Sequence, residues 1–193
     1  GLDTLVHVAN GIYKNCPNDE AHNLFKLPDF ISKMLENKWL GSKSGQGFYK
    51  KEGKKINVLD LKTLEYKDKK RVRFETLEQT KSIENIIDRF KILVNGKDKA
   101  GEFYRKNFAA MFAYVSNRIP EISDDLYKID DAMKAGFGWE HGPFKIWDAV
   151  GVSFGLDLIK KEGLSAAKWV SDMIDNDIDN FYSIKDGISF FYN

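Results

Sequence analysis

The stretch Asp130-Asp131-Ala132-Met133-Lys134-Ala135-Gly136-Phe137-Gly138-Trp139-Glu140-His141-Gly142-Pro143-Phe144 decides how this chain is read. Ile129, Ala132 and Met133 keep helical spacing, so a helix is predicted to run up to Gly136, with Ser123 as its cap and Asp124 and Asp125 in its first turn. Gly136 to Pro143 is dense in glycine and aromatics and reads as a loop. Pro143 suits the first position of a further short helix that carries Phe144, Ile146, Trp147 and Val150. Asp130 and Asp131 are adjacent, so they point to different helix faces and cannot share a proton; solvated surface is the expected reading.

Working outward, the same periodicity recurs. Ile83, Ile86, Ile87, Phe90 and Leu93/Val94 form one stripe, ended by Asn95-Gly96. A long helix is predicted from about Ala100, with Phe103, Phe108, Met111, Phe112 and Val115 toward the core, up to the break at Pro120. At the N-terminus Leu5, Val6, Ala9, Ile12 and Tyr13 make a stripe behind Asp3 as N-cap, and Phe30, Ile31, Met34 and Leu35 make another behind Pro28. Gly41-Ser42-Lys43-Ser44-Gly45-Gln46-Gly47 is too rich in glycine for a helix and leads into Phe48-Tyr49. Between Lys50 and Phe74 stand ten basic and four acidic residues, a local charge of +6, around the strand-like pieces Ile56–Leu59 and Leu64–Tyr66. This is expected to be a small exposed hairpin in a linker. Aromatic interleaving is limited to Tyr66 and Phe74, so a nucleic-acid partner is not expected.

The chain also resembles itself. Gly151-Val152-Ser153 falls over Gly1-Leu2-Asp3, and Lys185, Gly187, Phe190 and Phe191 fall over Lys43, Gly45, Phe48 and Tyr49. The offset shifts from 150 to 142, so the second copy lacks eight residues between its helices. Nothing before Gly1 answers to the helices and glycine loop that precede Gly151. The expectation is therefore a fragment: residues 1–50 as the second half of one helical unit, 51–79 as a basic linker with a short hairpin, and 80–193 as a whole second unit. The fold class expected is all-α, one and a half copies of a unit.

Composition excludes several classes. The 193 residues carry 30 Lys+Arg against 29 Asp+Glu, and this near-cancellation leaves no chain-wide basic or acidic character for a nucleic acid to read. One cysteine, Cys16, excludes an internal disulfide framework and a multi-cysteine zinc site, and fits a reducing compartment, so a cytoplasmic location is expected. No signal sequence and no membrane-length apolar run is apparent.

Asp130-Asp131-Ala132-Met133 with Gly136-x-Gly138-x-x-x-Gly142-Pro143-Phe144 and Asp148-Ala149-Val150-Gly151 resembles the C-terminal domain of 3-hydroxyacyl-CoA dehydrogenases. Gly41-Ser42-Lys43-Ser44-Gly45-Gln46-Gly47-Phe48-Tyr49 is similar to that family's closing loop. The resemblance implies a parent enzyme that oxidises 3-hydroxyacyl-CoA with NAD in fatty-acid β-oxidation. Its catalytic His and Glu, and its NAD, would belong to a separate Rossmann domain, with no catalytic, cofactor or metal residue in this chain. The glycines at 41, 45 and 47 follow a helix, not a strand, and so do not read as a dinucleotide loop or a P-loop. His7 and His22 sit in polar surroundings, and no spacing suggests a metal or a nucleophile. By resemblance, Asn117, Gly138, His141 and Gly142 are the residues expected to face substrate. The partners implied are 3-hydroxyacyl-CoA and the NAD-binding domain of the same parent, with a homodimer as a further one. The competing reading is a standalone helical module that binds an acidic partner through the basic segment.

Overall fold

A computed structural model describes residues 1–192; Asn193, the last residue of the expected second unit, lies outside the described residues. Helices dominate, and two compact units are distinguished, Gly1–Val72 and Arg73–Asn193.

The first unit comprises α1 (Leu2–Asn15), α2 (Asp29–Glu36) and strands β1 (Tyr49–Glu52), β2 (Lys55–Leu59) and β3 (Tyr66–Asp68). Gly1, not Asp3, is the N-cap of α1; Asp3 stands in the first turn, where its carboxylate suits the helix dipole and takes the Lys43 ammonium. The expected hairpin is present as β2 and β3, but the basic segment is more than a linker. It folds as a three-stranded antiparallel sheet, order β1-β2-β3, and belongs to the first unit. The reason is one side chain: Leu59 is buried with Leu2, Ile31 and Met34, with Trp39, Leu64 and Tyr66 packed around them. The lysines stay outside and pair with their neighbours, Lys50 with Glu52 and Lys67 with Asp60, both at 2.7 Å. The apolar stripe of α1 is only half used. Leu2 and Ala9 are buried, whereas Leu5 and Val8 remain 54% and 51% exposed and Tyr13 is also exposed.

The second unit comprises α3 (Glu75–Thr80), α4 (Ile86–Asn95), α5 (Lys99–Ser116), α6 (Leu126–Phe137), α7 (Pro143–Val150), α8 (Val152–Lys161), α9 (Lys168–Asp175) and a hairpin of β4 (Tyr182–Lys185) and β5 (Ile188–Phe191). Asn85 and Asp98 cap α4 and α5 through their side chains. Phe108 and Phe112 of α5 enter the core as the stripe predicts, but Phe103 is exposed. Helix α6 starts later than expected: its N-cap is Asp125, no acidic residue lies in its first turn, and the Ser123 hydroxyl receives the Asp125 N–H at 3.2 Å instead of capping the helix. The core is aromatic. Trp147 stacks on Phe112 with ring centres 4.7 Å apart, donates its indole N–H to the Val152 carbonyl at 3.1 Å, and packs with Phe144 against Phe181. All four rings are fully buried.

Helices α2 and α9 share a local backbone pattern. Each has eight residues, follows an extended residue (Pro28, Ala167), buries its third and sixth positions (Ile31 and Met34; Val170 and Met173) and ends at an Asn. The next residues, Lys38 and Asp177, are left-handed at φ 57° and 60°. The residue after that returns its N–H to the methionine carbonyl, at 2.8 Å from Trp39 and 3.1 Å from Ile178. Superposing the two helices requires an offset of 139, so the loop before α9 is eleven residues shorter and the segment after it three longer. The net of eight matches the shift seen in the sequence.

Candidate functional site

The glycine-rich loop is organised by Asp130, and here the structure corrects the expectation of a solvated carboxylate. Asp130 is 3% exposed. Its Oδ1 accepts the Phe144 N–H at 2.9 Å; Oδ2 accepts the Lys145 N–H at 2.9 Å and the Tyr182 hydroxyl at 3.0 Å. The first two are donors that α7 leaves unpaired at its N-terminus, so Asp130 acts as a distant cap for that helix. Burial pushes its carboxyl above the usual range, and the three hydrogen bonds partly offset this. Burial first, then the neighbouring Asp130 charge, pushes the Tyr182 phenol up. A second carboxylate works in the same way at the other end of α7. Asp148 accepts the Phe181 and Tyr182 N–H groups at 2.7 and 3.0 Å, and burial raises it to about 6. Together the two carboxylates fix both ends of α7 and tie the β4–β5 hairpin to it.

Above Asp130 opens a cavity of about 310 Å³ whose lining includes Lys134, His141, Gly142, Lys145 and Tyr182. His141 and Gly142, two of the four expected site residues, are thus brought together. The His141 Nε2 lies 4.0 Å from Glu140 Oε1, and Lys145 sets its ammonium 5.2 Å from the centre of the Tyr182 ring. Gly142 is required by space: a Cβ there would lie 2.3 Å from the Cα, Cβ and Cγ of Asp130. Gly138 is not in the lining; it is the left-handed C-cap of α6 at φ 66°. Asn117 is elsewhere, at the C-cap of α5, and its amide donates to the Ala113 and Ser165 carbonyls at 2.9 and 3.0 Å. Both hydrogens of that amide are engaged in holding backbone. Sequence reading missed Lys145 and Tyr182 as lining residues. The first carried a signal, standing one turn after His141 at the start of a helix, but the second lies 41 residues away with none.

Chemically, the cavity offers hydrogen-bond donors and mixed charge. The Asp130 oxygens are occupied by three donors, so this carboxylate orients α7 and is not poised as a base.

What the geometry defines is a helical domain that turns on a buried aspartate beneath a glycine loop. Residues 105–178 match the family model described as 3-hydroxyacyl-CoA dehydrogenase, C-terminal domain. All 193 residues align at 39% identity with a probable 3-hydroxyacyl-CoA dehydrogenase of Bacillus subtilis, covering 24% of that protein. Putative fatty acid oxidation complex trifunctional enzymes of Rickettsia felis and Rickettsia prowazekii align at 26% identity, over 76% and 83% of this chain and 19% and 21% of theirs. No solved structure matches the chain. The chain is thus similar along its whole length to a 3-hydroxyacyl-CoA dehydrogenase and over residues 105–178 to that family's C-terminal domain, and it spans about a quarter or less of the length of the curated relatives it matches. Among the described residues, no helix is long and apolar enough to cross a membrane.

Proposed function

We propose that this chain is the C-terminal helical part of an NAD-dependent 3-hydroxyacyl-CoA dehydrogenase that acts in fatty-acid β-oxidation in the cytoplasm. In this reading residues 1–50 are the second half of a first C-terminal-type domain, 51–79 form a basic segment that packs on it as far as Val72 and then leads onward, and 80–193 are a second such domain. Its work is to close the substrate cleft against a separate NAD-binding domain and to build interfaces, including a homodimer. It carries out no hydride transfer by itself.

The observation that carries this reading is the alignment of the whole chain with a quarter of a relative named for that activity. The matched backbone of α2 and α9, with left-handed Lys38 and Asp177 in register, supports the duplication. Gly45 and Gly187 add to it, both at φ 76°. His141 and Gly142, at the cavity over Asp130, are the residues through which the second unit would approach substrate; Gly138 shapes the loop behind them, and Asn117 contributes from the end of α5. Calorimetric titration of residues 1–193 with NAD tests the division of labour. No saturable heat is expected, and tight binding would place the nucleotide site here and overturn the reading.

A further inference from the structure

We propose that a second cavity, between the end of α4 and α8, binds a phosphate monoester carried on an apolar body. The proposal is independent of the dehydrogenase reading and stands or falls separately.

Helix α4 ends at Asn95 with Gly96 as its C-cap, which leaves its last carbonyls without helical partners. Arg105, in the second turn of α5, reaches back to them. Its Nη1 donates to the Val94 carbonyl at 2.9 Å and to the Gly96 carbonyl. This holds the guanidinium in place before any ligand arrives, and the ordering cost of that side chain is already met. A guanidinium has five N–H donors, and among the described residues those of Nη1 are the ones engaged with backbone. The Nε–Nη2 edge is left, and its two parallel donors match two oxygens of a phosphate or carboxylate.

Arg105 lines a cavity of about 310 Å³ together with Lys97, Lys161, Glu162, Phe154 and Leu158, below the α4 terminus. Three cations against one carboxylate leave a local charge of +2. A phosphate monoester is close to a dianion at neutral pH, so it balances this charge where a carboxylate leaves an excess. Phe154 and Leu158 supply an apolar wall for the group that bears the phosphate. Helix capping alone accounts for Nη1. It does not account for two lysines and a phenyl ring lining the same cavity as Arg105.

The test is calorimetric titration of the 193-residue chain with phenyl phosphate, with inorganic phosphate and benzoate as comparison ligands. Phenyl phosphate should saturate and bind more tightly than either, with affinity falling as salt rises. Lys97→Gln and Lys161→Gln, both at exposed positions, should each weaken it roughly fivefold, and Glu162→Gln should tighten it roughly threefold. Arg105→Lys keeps the charge but loses the paired donors, and should abolish the preference for phosphate over benzoate. Should Arg105→Lys fail to fold, the lysine and glutamate variants still decide. No saturation by about 20 mM phenyl phosphate would overturn the proposal, as would affinity unchanged in the lysine variants. Benzoate binding as tightly as phenyl phosphate would overturn the assignment to a phosphate.

Discussion

Gly142 and Gly138 stand four residues apart in one loop, yet the structure needs them for different reasons. Gly142 lets α7 press against Asp130, and any Cβ collides with backbone there. Gly138 has open space around it and is demanded only by its left-handed backbone. Gly142→Ala is therefore predicted to cost about 2 kcal/mol or more, and Gly138→Ala about 1 kcal/mol. Urea denaturation followed by tryptophan fluorescence measures both, and the reverse order would contradict this account of the loop. Asp148 gives a pH dependence with a defined sign. Its folded carboxyl is raised from 3.8 to about 6, so the folded unit holds a proton that the unfolded chain releases. Its contribution to stability is full below pH 3.8 and is lost as pH rises through about 6. The difference in unfolding free energy between wild type and Asp148→Asn should therefore decline across that window. A flat difference would show that Asp148 does not titrate there.

Among the elements, α3 and α5 are joined through one carboxylate. Asp98 caps α5 through Gly101 N–H at 3.0 Å, and also receives the Thr76 N–H and hydroxyl at 3.0 and 2.8 Å. Asn85, by contrast, caps only its own helix. Asp98→Ala is predicted to cost clearly more than Asn85→Ala, which should cost about 1 kcal/mol, both read from urea denaturation midpoints. Equal losses would mean that the tie to Thr76 contributes nothing. The long helices were legible in the sequence because their apolar spacing is their cause: α4, α7 and the buried face of α5 lie where periodicity puts them. The β2–β3 hairpin was legible too, but its third strand β1 and its place in the first unit were not, because these depend on Leu59 meeting Ile31 and Met34, a contact made at long range. Asp130 was misread for a related reason. Its partners are donors 14, 15 and 52 residues on, and two adjacent carboxylates on a helix carry no trace of them. The glycine loop itself was legible in its composition, and His141 and Gly142 as candidate site residues by resemblance alone.

At the scale of the whole molecule, the second unit closes around its aromatic core, whereas the first leaves Leu5 and Val8 of α1 in solvent. The counterpart helix α8 buries Leu158 and Ile159 where α1 places Val8 and Ala9. A double variant Leu5→Gln/Val8→Gln should lower binding of a hydrophobic dye while leaving the urea midpoint within about 0.5 kcal/mol of wild type, since exposed positions carry little stability. A large loss of stability would mean that this face is already covered. The central claim is that these residues are the helical C-terminal part of a dehydrogenase whose chemistry lies in the rest of the protein. Its most direct measurement is NADH formation from a 3-hydroxyacyl-CoA, compared between the full-length parent protein and residues 1–193 at equal concentration. Turnover by the parent and none by the 193-residue chain is the predicted result; NADH formation by the chain alone, or none by the parent, would contradict it.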